Sequence, residues 1–309
     1  MKKSTMKTDT SVSIGKLNLK NPVMTASGTF GYGLEFKDFL DLEALGAIVV
    51  KGIALEPVLG NRPQRIVETA SGMLNAIGLQ NIGVEKFLSD KMPLLARYKT
   101  PVIANIYGTD VKDYVAVAER LADSAVAGIE VNISCPNVKK GGLQFAADRK
   151  AIIKMLGGIK KVYKKTVIMK LSPNTGNIED IALLCEDYGA DAVSLINTLV
   201  GMAVDLDKKT PVLSNIYGGL SGPAIKPVAL AMVHKTAKRV KIPVIGIGGI
   251  MNYRDALEFI IAGASAVQIG TANFRDPAAP VKVAAGIKEY LEANKIKSVK
   301  NLIKTLKYQ

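Results

Sequence analysis

Cys135 stands in Val131-Asn132-Ile133-Ser134-Cys135-Pro136-Asn137, just past the apolar run Gly128-Ile129-Glu130-Val131. The run reads as a short buried strand, and Pro136 cannot extend it because proline brings no N–H donor. A thiol at a strand's end, beside two asparagines and ahead of the glycine-containing run Val138-Lys139-Lys140-Gly141-Gly142, is placed to meet a small molecule. Free cysteine elsewhere is usually buried and inert, so the thiol alone decides little. Its company decides more. Lys51, Asn105, Asn132, Lys170, Asn197 and Thr198 all fall at or just after short apolar runs. Such polar groups must either find buried partners or face a ligand. Together they offer a proton acceptor, two cations for an anion, and amides that both donate and accept hydrogen bonds.

The elements that would hold these residues repeat along the chain. Short Val/Ile/Leu-rich strands are expected at Pro22–Ala26, Ala47–Val50, Val102–Asn105, Ile129–Ile133, Val167–Leu171, Ala192–Ile196, Val244–Ile247 and Ala266–Ile269, most of them separated by segments of helical period. Continuous apolar strands imply burial on both faces, and strands alternating with helices imply parallel pairing. Eight such repeats predict an α/β fold, a (β/α)8 TIM barrel, over an open doubly wound sheet. Two alternating segments around Gly15-Lys16 predict an N-terminal β-hairpin. The long connections from Gly52 to Thr100 and from Leu199 to Ser221 predict extended loops covering the C-terminal face of the barrel.

Strands seven and eight end in Gly246-Ile247-Gly248-Gly249-Ile250 and Gly270-Thr271-Ala272. These are barrel positions where glycines let backbone N–H groups approach a phosphate and a following helix adds its dipole. Gly222, just before Pro223, offers a further amide.

Composition narrows the class. At 309 residues, with 48% hydrophobic and 22% charged, the chain suits one globular barrel, and residues 1–309 are expected to form a single domain with a disordered N-terminus over 1–10. The net charge of +14 is dispersed, without runs of five or six like charges, and aromatics make up only 6% with no Trp. That argues against nucleic acid and for attraction of small anions. Two cysteines and one histidine exclude the usual zinc and disulfide frameworks, so no metal site is expected. No apolar run approaches the roughly 18 residues of a membrane span, and the polar Met1–Thr10 is unlike a signal peptide. A cytoplasmic, reduced protein without membrane attachment is the expectation. G-x-G-x-x-G, Walker and H-E-x-x-H patterns are absent. His234 falls in a predicted helix, Cys185 on a helical apolar stripe as core, and Ile296, Val299, Leu302, Ile303 and Leu306 predict a helix in the tail from Lys295 to Gln309.

The motifs Asn75-Ala76-Ile77-Gly78-Leu79-Gln80-Asn81, Asn132-Ile133-Ser134-Cys135-Pro136-Asn137, Lys170-Leu171-Ser172-Pro173-Asn174, Asn197-Thr198 and Gly248-Gly249 together resemble the class 1 dihydroorotate dehydrogenases, from about Ile14 to near Ala285. The Asn75–Asn81 motif resembles the NAD-linked class 1B catalytic subunit, with the fumarate-reducing class 1A as near neighbour. Class 2 enzymes place serine where this chain has Cys135. One departure is Gly60-Asn61-Arg62-Pro63-Gln64-Arg65, which lacks the first proline of the family's Gly-Asn-Pro-x-Pro-Arg loop.

The resemblance implies oxidation of (S)-dihydroorotate to orotate in pyrimidine biosynthesis. It implies FMN, one per chain, contacted by Ser27, Lys51, Asn105, Asn132, Lys170, Ile196, Gly222, Gly248, Gly249, Gly270 and Thr271. Lys51, Asn75, Ala76, Ile77, Gly78, Leu79, Asn132, Asn197 and Thr198 would hold the substrate. Cys135 would take the C5 proton while the C6 hydride goes to flavin N5, and Lys170 would favour the anionic reduced flavin. Electrons would leave through a partner subunit carrying FAD and a [2Fe-2S] cluster to NAD, with a homodimer inside a heterotetramer expected. Two distant cysteines cannot hold that cluster in this chain. The rival readings are a fumarate-using single-subunit dehydrogenase, a flavin-free phosphate-binding lyase or aldolase with Lys170 as Schiff-base nucleophile, and a basic nucleic-acid-binding barrel.

Overall fold

A computed structural model describes residues 8–134 and 148–308. Cys135, Pro136 and the glycine-containing run after them lie outside the described residues, as do residues 1–7.

Eight parallel strands form the centre: β1 Val23–Thr25, β2 Ile48–Ile53, β3 Val102–Ile106, β4 Gly128–Asn132, β5 Thr166–Lys170, β6 Ala192–Leu195, β7 Val244–Ile247 and β8 Ala266–Ile269. Each pairs with its sequence neighbour from β2 to β6, then β6 with β7, β7 with β8, and β8 with β1. The ring closes through a bridge from Met24 to Ala47, with Gly46 N–H donating to Val23 O at 2.8 Å. Only glycine fits at that seam, because a Cβ on Gly46 would stand 2.2 Å from Asn21 O. The expected barrel is therefore the observed one. Seven strands, all but β2, are buried at every residue because helices cover them outside and neighbouring strands fill them inside.

Amphipathic helices Val111–Leu121, Arg149–Val162, Ile178–Asp187, Lys226–Arg239, Tyr253–Ala262 and Ala279–Ala293 wrap the outside. The first connection departs from the regular pattern, carrying two single-turn helices, Leu34–Phe36 and Leu42–Ala44. The hairpin around Gly15 forms as expected from Val12–Ile14 and Leu17–Leu19.

Two expectations change. The two long connections are more than loops: Ile66–Thr69, Gly72–Asn75, Leu199–Met202 and Tyr217–Ser221 assemble into one antiparallel four-stranded sheet over the barrel mouth. The tail does not continue as a helix. Lys295 turns with φ 56°, Val299–Leu302 make a short 3-10 turn capped by Ser298, and Lys304 and Leu306 N–H groups bond to Ile260 and Ile261 carbonyls. Those bonds fix an extended path where the apolar spacing pointed to helical period. At the other end, Asp9 exchanges backbone hydrogen bonds with Lys297 and Val299 at 2.9 and 3.0 Å. Among the described residues no helix is long and apolar enough to cross a membrane.

Candidate functional site

The C-terminal ends of the strands and the four-stranded sheet enclose a cavity of about 640 Å³. Its volume lies within the range of small-molecule and cofactor sites. Every sequence-predicted site residue among those described lines it: Ser27, Lys51, Asn75 to Leu79, Asn105, Asn132, Lys170, Ile196 to Thr198, Gly222, Gly248, Gly249, Gly270 and Thr271.

The barrel supplies the floor. Lys170, at the end of β5, is buried with its Nζ donating to Ser27 Oγ at 2.9 Å and lying 3.6 Å from Glu130 Oε2. An amino group held by a hydroxyl and a carboxylate keeps a positive charge in place, which counts against the Schiff-base reading. Asn132 ends β4. Its Oδ1 accepts from both the N–H and the Oγ of Ser134, leaving Nδ2 to donate toward a ligand. Asn197, after β6, donates Nδ2 to Ser134 Oγ, leaving Oδ1 to accept. Ser134 thus sets one asparagine as donor and the other as acceptor. That pair matches the N–H and C=O of a ring amide.

Lys51 reaches the cavity for a backbone reason. Pairing between β2 and β3 loses register between Val50 and Ile53, and Lys51 N–H bonds to Gly31 O at 2.8 Å instead of the ladder. Such irregularities re-aim side chains. Burial first, then the nearby Arg65 guanidinium, hold the Lys51 ammonium below its ordinary range, with Glu35 opposing them. A lysine on the cavity wall suits a carboxylated ligand.

The segment Asn75 to Gln80 is pinned from the loop that lacks the proline. Asn61 N–H and Nδ2 donate to Ile77 O at 3.0 Å and Ala76 O at 2.9 Å, and Arg65 Nη1 donates to Gln80 Oε1 at 3.1 Å. Gly78, at φ 75°, allows the approach, since a Cβ there would lie 2.6 Å from Asn61 N. The loop's contacts do not need the missing proline.

The glycine rim lies where expected, with one difference. Helix Tyr253–Ala262 after Gly249 has its first N–H groups satisfied by Asn252 and Asp255 in a capping box, so its terminus is already occupied. An anion at this rim would meet the loop around Gly248 and Gly249 and the segment Gly270 to Ala272, where Thr271 Oγ1 donates to Ser221 Oγ at 2.8 Å. Gly222 and Thr271 meet there as well, the threonine methyl standing 3.5 Å from a Cβ built on Gly222.

Against this geometry, the dihydroorotate dehydrogenase family model matches residues 10–291. The chain belongs to the dihydroorotate dehydrogenase family. The family consists of flavin-dependent oxidoreductases. Among curated relatives, the protein named dihydroorotate dehydrogenase B (NAD(+)), catalytic subunit, of Geotalea uraniireducens is 56% identical over 301 residues, covering 97% of this chain and 99% of its own length. Its namesake from Citrifermentans bemidjiense is 57% identical over 299 residues, 96% and 98% of the two lengths. That of Geobacter sulfurreducens is 56% identical over 301 residues, again 97% and 99%.

Sequence reasoning missed Glu130, Ser134 and Asn174 as site residues. A signal existed for Glu130, a charge in the middle of a fully buried strand. Asn174 ties the sheet to the barrel by donating Nδ2 to Thr198 O at 3.0 Å and accepting from Val200 N–H at 3.1 Å. Cys185 is core as expected, where burial pushes its thiol up to about 12. His234 is half-buried on the outer helix, its Nε2 2.9 Å from Tyr308 Oη, well removed from the cavity lining.

Proposed function

We propose that this chain is the catalytic subunit of an NAD-linked dihydroorotate dehydrogenase and oxidises (S)-dihydroorotate to orotate in pyrimidine biosynthesis. The observation that carries the reading is the convergence of Lys51, Asn132, Lys170 and Asn197 on one cavity, from four barrel strands, in a chain of this family.

The donor set fits FMN. Gly248, Gly249 and Thr271 would meet its phosphate through the rim, and Ser27, Asn105 and Lys170 would meet the flat ring at the floor. FMN supplies a two-electron acceptor for the hydride leaving C6 of the substrate. The protein's own groups do the rest. Cys135 would remove the C5 proton. It follows Ser134 directly in the chain, and Ser134 hydrogen bonds both asparagines that would grip the ring amides. A thiol has a pKa of about 8.5 unless positive charge lowers it, so the rate rises with pH until the thiolate is fully formed. Lys51 would take the substrate carboxylate, and Lys170 would hold positive charge against the floor side of the ring. The overlying sheet would keep water out.

Electrons would then leave to a partner subunit carrying FAD and a [2Fe-2S] cluster and on to NAD, in the cytoplasm, with two copies of this chain in a heterotetramer. The relatives' printed "NAD(+)" and "catalytic subunit" support that order, as does a chain with only two cysteines, too few to hold the cluster.

The test is an absorption spectrum of the purified chain followed by anaerobic dihydroorotate. A yellow protein that bleaches is expected, with Cys135→Ser slowing the bleaching by about 10²–10⁴-fold at neutral pH. A serine variant with near-normal flavin reduction would remove Cys135 from the role. Rapid turnover of the isolated chain with fumarate would favour the class 1A reading.

A further inference from the structure

Behind the cavity floor lies a carboxylate that the chemistry above leaves unused. Glu130, at the centre of β4, has no exposed surface. Its Oε2 accepts from Asn105 Nδ2 at 2.6 Å and lies 3.6 Å from Lys170 Nζ. Its Oε1 accepts from Ser194 Oγ at 2.8 Å and Gln268 Nε2 at 2.6 Å. The partners come from β3, β5, β6 and β8, so one anion joins five of the eight strands. Stability alone does not account for it, because a well-packed apolar residue in place of a buried ionic group is often neutral or better.

Two groups that face the cavity depend on it. An ionised carboxylate only accepts hydrogen bonds, so the Asn105 atom 2.6 Å away must be the amide NH₂. Asn105 Oδ1 is thereby turned toward Gly52 on the cavity wall, 3.1 Å from where a Cβ on that glycine would stand. Lys170 is held between Ser27 and Glu130, its charge offset from behind.

We infer that Glu130 is a positioning residue. It is the counter-charge that fixes Lys170 while tempering its field, and it holds the Asn105 amide with Oδ1 beside Gly52 at the cavity wall. The inference rests on the flavin reading above. With Glu130 neutral, Lys170 faces the cavity as an uncompensated cation and favours a ligand that gains negative charge on reduction.

The test is a redox titration of the flavin bound to the purified wild type, Glu130→Gln, Lys170→Gln and the double variant. Glu130→Gln is expected to shift the reduction equilibrium tenfold or more toward the reduced form, a rise of about 30 mV for a two-electron couple. Lys170→Gln shifts it the opposite way, and the double variant, neutral at both positions, returns close to wild type. A merely structural Glu130 leaves the potential of its variant at the wild-type value and makes the double variant equal to Lys170→Gln; either result overturns the inference. If Glu130→Gln does not accumulate as folded protein, the double variant against Lys170→Gln makes the same decision. A wild type that binds no flavin overturns this and the proposed function together, whereas a flavin-loaded wild type bleached by dihydroorotate, with no shift in the variants, overturns the role of Glu130 alone.

Discussion

The floor and the roof of the cavity are built in opposite ways. On the floor, Asn105, Asn132 and Lys170 are all buried, and each hydrogen bonds a neighbour that fixes its orientation. In the roof, among the described residues, buried Leu74, Ala76 and Leu213 make a small apolar cluster with Val67, Ala203 and Leu220 packed against it, while Val200, Met202, Val204 and Tyr217 stand exposed. The floor inherits its rigidity from the parallel barrel. The roof is joined to it at a few points, such as Asn174 on Thr198 and Val200, and Thr271 Oγ1 on Ser221 Oγ at 2.8 Å. Chemistry that needs charges held in place belongs to the floor, and admission and grip of the substrate belong to the roof and the seam between them.

The sharpest way to break this contrast is at the floor. Lys170→Met is expected to slow flavin reduction by about 10²–10³-fold in stopped-flow single turnovers. It also leaves the buried Glu130 without its cation, and the thermal melt should report a loss of about 3 kcal/mol or more. At the seam, Asn197→Ala removes the acceptor of the asparagine pair and should weaken orotate binding about tenfold by titration calorimetry. Unchanged affinity would show that the pair does not grip the ring.

Lys51 gives a pH signature. Its ammonium is held below the ordinary range, so its charge is lost at lower pH than for a free lysine and affinity for a carboxylate falls as pH rises. As pH rises toward the ordinary lysine value of about 10.4, orotate Kd should climb for the wild type and stay flat for Lys51→Gln. The smallest effect is expected on the outside of the roof, where Leu206→Ser on the isolated chain should change stability by no more than about 0.5 kcal/mol and leave flavin reduction unchanged.

The eight barrel strands and many of the residues that line the cavity were legible in the linear chain. Strands buried on both faces must be continuously apolar, so Val102–Ile106 or Thr166–Lys170 stand out, and a lysine or asparagine at the end of such a run needs a reason. The roof was not legible as a sheet. Gly72–Asn75 and Tyr217–Ser221 are short, rich in glycine and only half-buried, and they lack the alternation that marks a strand.

What the amino-acid order determined by itself was therefore the barrel, its polar strand ends and the family motifs, because each depends on neighbours a few residues apart. Only the folded chain decided that distant connections join as one roof, that Ser134 makes one asparagine a donor and the other an acceptor, and that Glu130 stands behind Lys170. Those facts depend on which atoms meet across the barrel, and contacts between residues far apart in sequence are set by closure of the whole ring.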